Sequence, residues 1–188
     1  MQGQDLPIRL EATRSTLVVV DIQEKFRPLI HGMDQVVAGS SRLIQFCQLM
    51  DIPILVTEQY PRGLGVTISE IRLLFKSFAC LEKVHFSCCG DKVFNRTMNQ
   101  QGGDQIILCG IETHVCVYQT ALDLVRQGKQ VAVAVDAVSS CSAADRDIGL
   151  KRMSEIGIQS MSVQMLMFEI LKQAGTEQFK KVAHLLKE

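Results

Sequence analysis

Four short runs of aliphatic and β-branched residues, separated by segments with helical spacing, limit the fold of this chain more than any other feature. The runs are 16–20 (TLVVV), 53–57 (PILVT), 105–109 (QIILC) and 131–135 (VAVAV). Continuous apolar runs of this length are typical of strands that are buried on both faces, as in a parallel sheet. The sequence therefore predicts parallel strands covered by helices on both sides.

The segments between and after these runs complete an α/β pattern. Helices are predicted over 36–50, 117–125, 143–155 and 176–187, with Gly128 ending the second of them and a short strand near Ile158. The chain has 188 residues, which is the size of one domain. We therefore expect a single domain, 1–188, in which a doubly wound parallel sheet lies between two helical layers.

The charge and hydropathy of the chain exclude several classes of partner. Lys plus Arg and Asp plus Glu both number 20, so no net field attracts nucleic acid or an anionic membrane. No apolar run approaches the roughly 18 residues of a membrane helix. Met1–Asp5 shows neither the basic nor the apolar part of a signal peptide. We expect a cytoplasmic protein that binds a small molecule.

The seven cysteines show no CxxC pair and no zinc-ligand spacing. A chain of this length does not need disulfides to fold, so reduced thiols are expected. Most of these cysteines are expected to be small buried apolar residues.

Polar residues follow the predicted strands where a parallel sheet binds its ligands, outside the carboxyl ends. They are Asp21, Glu58, the segment 110–116 and Asp136. A single carboxylate at a strand end is often only a helix cap, but several at one edge indicate a site.

Cys116 is the cysteine with a reason to be reactive. Thr113 is predicted to be a helix N-cap, which places Cys116 at the third helical position. The free N–H groups and the dipole of a helix start would lower the pKa of the thiol and could hold an oxyanion. A buried structural cysteine is the alternative.

A nucleophilic thiol needs a base, and Asp21 at the end of the first strand is the natural candidate. His114 lies two positions from Cys116 and therefore faces elsewhere on a helix. Lys83 has a mostly apolar neighbourhood on one side, but a surface lysine with a packed stem is the better explanation of that pattern.

Taken together, four segments resemble the isochorismatase-like cysteine hydrolases, a family that includes nicotinamidases and N-carbamoylsarcosine amidases. The segments are 18–26 (VVVDIQEKF), 83–87 (KVHFS), 109–117 (CGIETHVCV) and 135–140 (VDAVSS). The segment 56–65 (VTEQYPRGLG) is similar to the branch called isochorismatase domain-containing proteins.

The resemblance implies a sheet of about six strands in the order 3-2-1-4-5-6 and a catalytic triad of Asp21, Lys83 and Cys116. It also implies a cis peptide bond between Ile111 and Glu112, with the N–H groups of Glu112 and Cys116 in an oxyanion hole. Glu112 stands where the family usually has a small residue, and His114 where it often has Asp. We expect the substrate pocket to include Gln23, Phe26, Tyr60, Phe86 and Thr113.

The same resemblance bears on metals. Nicotinamidases hold a metal ion after the second strand with one Asp and two His. This chain has Glu58, Gln59 and Tyr60 there, and no histidine between His31 and His85. We therefore expect no metal ion and no other cofactor.

The leading hypothesis is a metal-independent cysteine hydrolase that cleaves a small-molecule amide or related C–N bond through a thioester. Hydrolysis of an isochorismate-like vinyl ether is the alternative, although family members that catalyse it do not depend on the cysteine. A non-catalytic binding or regulatory protein, or a redox protein pairing Cys116 with Cys88 or Cys89, also remains open. The resemblance further implies a homo-oligomer, a dimer or larger.

Overall fold

The structure, a computed structural model, describes residues 9–186. The expectations for Met1–Asp5 and for the last residue of the predicted 176–187 helix lie outside this range. Six parallel strands form one sheet in the order β3-β2-β1-β4-β5-β6, as predicted. They are β1 (Ser15–Val20), β2 (Ile54–Gln59), β3 (Leu81–Lys83), β4 (Gln105–Ile111), β5 (Gln130–Ser139) and β6 (Gln159–Met161). The order changes direction between β1 and β4, which is where such sheets bind ligands.

Helices cover both faces of the sheet. They are α1 (Met33–Leu49), α2 (Pro61–Leu64), α3 (Ser69–Arg72), α4 (Lys92–Gln101), α5 (Tyr118–Arg126), α6 (Ala143–Glu155), α7 (Val163–Leu171) and α8 (Glu177–Val182). Short 3-10 turns lie at Ala12–Arg14, Glu24–Phe26 and Cys88–Gly90, and a π-helical turn lies at Thr113–Val117. Among the described residues no helix has the length and apolarity needed to cross a bilayer.

The alternation of side chains along β1 divides the interior into two cores. Leu17 and Val19 pack with α1, α7 and α8 on one face, whereas Val18 and Val20 pack with α4 and α5 on the other. All six residues of β1 are buried, as the apolar run predicted. The sheet is therefore the middle layer of three.

The sequence did not predict α4 and α7. Only Phe94 and Met98 are buried on α4, so its apolar stripe is too thin to stand out from a polar segment. The opposite holds for α7, because apolar residues occur on nearly all sides of VQMLMFEIL and hide its period.

The fourth strand was predicted to end at Asp136, which is wrong. β5 continues to Ser139, and its register with β4 shifts between Leu108 and Gly110. The Asp136 carboxylate accepts a hydrogen bond from the N–H of Val163 at 2.8 Å, at the first residue of α7. This carboxylate therefore satisfies a free N–H at the start of α7, whose N-cap is Ser162.

Candidate active site

Asp21 lies directly after β1 at the carboxyl edge of the sheet. Its φ is 52°, in the left-handed region, which Asp tolerates better than most residues. Its N–H donates to the Thr57 carbonyl at 3.2 Å, and its side chain is fully buried. The turn therefore places the carboxylate inside the molecule.

Lys83 ends β3 and also points into the interior. Its Nζ lies 2.6 Å from Asp21 Oδ2, and both side chains are 1% exposed. Burial opposes the charge of Lys83, yet the carboxylate of Asp21 and the thiols of Cys88 and Cys116 raise its pKa above the ordinary value. Lys83 is thus a buried ammonium and not a surface lysine.

Cys116 belongs to the π-helical turn Thr113–Val117, and α5 begins only at Tyr118. The prediction that Thr113 caps an α-helix is therefore wrong. Thr113 Oγ1 is buried without a hydrogen-bond partner, and the N–H of Val117 donates to the Glu112 carbonyl at 3.1 Å, five residues back. Because of this wider turn, Cys116 lies before the first residue of α5 and not within its first turn.

The prediction of a lowered thiol pKa is also wrong. Burial, and after it the charge and hydrogen bond of Asp21, raise the pKa of Cys116 to about 12, although the charge of Lys83 opposes the rise. The charges of Asp21 and Lys83 thus act on the same thiol, in opposite directions. The surroundings of Cys116 therefore favour its neutral thiol form.

The peptide bond between Ile111 and Glu112 is cis, at the position that the resemblance implied. The Glu112 carboxylate accepts a hydrogen bond from the N–H of Cys141 at 2.8 Å. His114 Nδ1 lies 3.0 Å from Ser140 Oγ. Glu112 and His114, the two departures from the family pattern, therefore both contact the loop that follows β5.

The five expected pocket residues occupy different surroundings. Tyr60 is exposed and lines a cavity of about 380 Å³ that also contacts Lys83. Phe86 is exposed, and its carbonyl accepts from Lys83 Nζ at 3.2 Å. Phe26 packs against the core, and Gln23 and Thr113 are fully buried.

Sequence reasoning did not place three residues beside the charged pair that contact the pair or its hydrogen-bond partners. Thr57 Oγ1 donates to Asp21 Oδ1 at 2.7 Å, and Gln59 Oε1 accepts from Lys83 Nζ at 2.7 Å. Cys88 Sγ lies 3.9 Å from Thr57 Oγ1. The period of two along β2 was the available signal, since it puts residues 57 and 59 on one face.

Among residues 9–186 no group of three or more His, Cys, Asp or Glu side chains is arranged to hold a metal ion. The segment 58–60 uses its polar groups within the protein. Glu58 Oε1 accepts from the N–H and the hydroxyl of Thr67, at 2.7 and 2.8 Å. Independence from metal remains a prediction.

Residues 15–165 match the isochorismatase domain family. The chain belongs to the isochorismatase family. Isochorismatase domain-containing protein 2A of Mus musculus is 38% identical over 183 residues, covering 96% of this chain and 86% of its own length. The secreted isochorismatase effector Isc1 of Phytophthora sojae is 37% identical over 184 residues, covering 96% and 88%. The structure of the MAR1 ribonuclease of Caenorhabditis elegans superimposes with a TM-score of 0.91 at 35% identity, covering 96% of this chain and 93% of that one. The fold is that of an isochorismatase-family hydrolase.

Proposed function

We propose that this protein is a metal-independent cysteine hydrolase that cleaves an amide or related C–N bond of a small molecule through a thioester on Cys116. The observation that carries the proposal is the buried Asp21–Lys83 pair, whose two charges both act on the Cys116 thiol. A thiol, a base and a fixed positive charge are the groups that nucleophilic attack on a carbonyl requires.

In the first half-reaction the Cys116 sulfur attacks the carbonyl carbon while its proton passes to Asp21. Because the pKa of Cys116 is raised, the thiol loses its proton during the attack and not before it. The N–H groups of Glu112 and Cys116 are the proposed donors to the oxyanion, each worth on the order of 3 kcal/mol. Asp21 then protonates the nitrogen, the C–N bond breaks, and ammonia or an amine leaves.

In the second half-reaction Asp21 takes a proton from a water molecule that attacks the thioester. The C–S bond breaks, the carboxylic acid departs, and the proton returns to the Cys116 sulfur. Lys83 stays protonated throughout and balances the charge on Asp21 and sulfur. Its Nζ already faces protein oxygens at 2.6 and 2.7 Å, so it holds charge and transfers no proton.

The decisive experiment is a screen of primary amides, ureas and carbamoyl compounds for ammonia release. Cys116→Ala should abolish turnover, whereas Cys89→Ser is the matched control, because Cys89 is a partly buried thiol outside the proposed machinery. Mass spectrometry with a slow substrate should find an acyl adduct on Cys116 and on no other cysteine. A fully active Cys116→Ala protein would end the proposal.

Chelation tests the metal-independent part. Turnover should survive dialysis against EDTA, because Glu58 and Gln59 are already satisfied by protein partners. Loss of activity that zinc restores would contradict this expectation.

The same variants separate the competing functions. Hydrolysis of an isochorismate-like vinyl ether that continues in Cys116→Ala would favour the alternative enzyme reaction. The relative from C. elegans is named a ribonuclease, so RNA belongs in the screen as a second substrate class. The balance of 20 basic and 20 acidic residues provides no general attraction for RNA, and we expect no cleavage.

We also infer a cytoplasmic homo-oligomer, a dimer or larger. Exposed apolar side chains, among them Leu29, Val84 and Ile148, are available for contacts between copies. Light scattering tests the assembly. Cell fractionation tests the location, which is of interest because the P. sojae relative is named a secreted effector.

A further inference from the structure

β2 supplies no member of the proposed triad, yet it contacts both charged members. Thr57 and Gln59 are two residues apart on a strand and therefore share a face. The Thr57 hydroxyl donates to Asp21 Oδ1, and Gln59 Oε1 accepts from Lys83 Nζ, both at 2.7 Å. The donor thus faces the carboxylate, and the acceptor faces the ammonium.

The surroundings of Lys83 Nζ suit only its charged form. Four oxygens lie around it: Asp21 Oδ2 at 2.6 Å, Gln59 Oε1 at 2.7 Å, and the carbonyls of Phe86 and His85 at 3.2 and 3.3 Å. An ammonium has three donors and no acceptor. A neutral amine would turn a lone pair toward oxygen, so each of these acceptors favours the proton.

The orientation of Gln59 is determined by its other contacts. Its Nε2 donates to the Val84 carbonyl at 2.9 Å, which leaves Oε1 facing Lys83. Its backbone N–H and carbonyl both bond to the side-chain amide of Gln23, at 2.8 and 3.1 Å. Gln23 is fully buried and also donates to the Gly65 carbonyl at 2.6 Å.

We propose that Gln59 is a positioning residue that holds the Lys83 ammonium against Asp21, and so keeps a positive charge beside Cys116, while Gln23 holds Gln59 in place. Gln59 acts through Lys83 and needs no contact with substrate. The catalytic consequence rests on the proposed function. The effect on the thiol does not, because Lys83 lowers the pKa of Cys116 whatever the reaction is.

Gln59→Met tests the proposal, since it keeps the volume of the side chain and removes the acceptor. The measurement is the rate of Cys116 alkylation by iodoacetamide, with peptide mass spectrometry to separate Cys116 from the exposed Cys141 as internal reference. We expect Gln59→Met to slow Cys116 alkylation about threefold or more, since a hydrogen bond to a charged group is lost and less thiolate forms.

Glu58→Gln is the matched control. Glu58 is the neighbour of Gln59 on β2 and is equally buried, but it faces Thr67, and a glutamine keeps the oxygen that Thr67 uses. This variant should alkylate at the wild-type rate.

The same substitution in an Asp21→Asn, Lys83→Met background distinguishes positioning from general damage. In that background no Lys83 ammonium remains to donate to Gln59, so Gln59→Met should not slow Cys116 alkylation further. A Gln59→Met protein that folds only in this background would support the same conclusion.

Three results would overturn the proposal: a wild-type alkylation rate in Gln59→Met, equal slowing in both backgrounds, or failure to fold in both. Iodoacetamide needs no enzyme activity. Absence of amide hydrolysis would therefore count against the proposed function alone.

Discussion

At the scale of single residues, Asp21 connects the whole candidate site. One carboxylate oxygen accepts from Thr57 and the other from Lys83. The same carboxylate raises the pKa of the Cys116 thiol. The residue adopts a left-handed φ of 52° to reach this position. A carboxylate that is fully buried must keep its partners, because an unpaired buried charge is costly.

This arrangement predicts the stability of variants of the pair. Lys83→Met leaves Asp21 unpaired and should lower the free energy of unfolding by about 3–5 kcal/mol. The double variant Asp21→Asn, Lys83→Met removes both charges and should recover more than half of that loss. Urea denaturation followed by circular dichroism measures both values. A Lys83→Met protein as stable as the wild type would mean that the pair is not charged in the folded state.

At the scale of elements, the close approach of β4 to β1 brings the turn that carries Cys116 next to Asp21. Gly110 in β4 has a φ of 109°, and a Cβ built on it would lie 2.0 Å from the Val20 carbonyl oxygen. The obstacle is backbone, which cannot rotate away. A side chain at this position would therefore force the two strands apart.

Gly110→Ala should lower the free energy of unfolding by more than about 4 kcal/mol, or prevent folding, because overlap adds to an unfavourable φ. Gly102→Ala is the matched control, since Gly102 also has a positive φ, of 73°, but no atom lies within 4 Å of the added Cβ. It should cost only about 1–2 kcal/mol. Equal losses in the two variants would show that steric overlap at Gly110 is unimportant.

At the scale of the whole molecule, the two cores bury thiols on both faces of the sheet. Cys47 and Cys109 belong to one core, and Cys88 and Cys116 to the other. Burial raises the pKa of Cys109 to about 12 and that of Cys88 to about 11. The folded protein therefore keeps these buried thiols protonated at pH values where the unfolded chain ionises.

Stability should consequently fall in alkaline solution. Below about pH 8.5 the thiols are protonated in both the folded and the unfolded state, so their full contribution to the free energy of unfolding is present. Above it the unfolded state loses protons first, so each buried thiol lowers the free energy of unfolding by about 1.4 kcal/mol per pH unit until its folded pKa is reached. Urea denaturation from about pH 8 to 10 tests this, a range chosen because it spans the thiol pKa of the unfolded chain. The free energy of unfolding of Cys109→Ala should fall less steeply with pH, by the contribution of one thiol. An unchanged slope would contradict the prediction that Cys109 stays protonated in the folded protein.

Much of the architecture could be predicted because it depends on local pattern. The apolar run at 16–20 identified a strand buried on both faces, and that strand lies at the centre of the sheet. The helix over 143–155 has the predicted bounds, with Ser142 as its N-cap. β3 gave no such signal, because three residues are too few to show a period.

The candidate site divides in the same way. Residue type and position were enough to select Asp21 and Cys116 as residues to examine, since strand ends converge at one edge, whereas Lys83 was selected through the family resemblance. Their local surroundings were not predictable. The N-cap expected at Thr113 is replaced by a π-helical turn. The pKa of Cys116 was expected to be lowered but is raised, because the Asp21 carboxylate and the protein atoms that bury the thiol come from distant segments.

The sequence by itself thus determined the class of fold and the residues that carry reactive groups, because both follow from patterns within a few residues of chain. Only the tertiary structure decided the protonation of those groups and the partners that hold them. Desolvation and hydrogen bonding depend on which remote atoms share the space. Gln59 meets Lys83 across a gap of 24 residues, a relation that the spacing of residues along the chain does not specify.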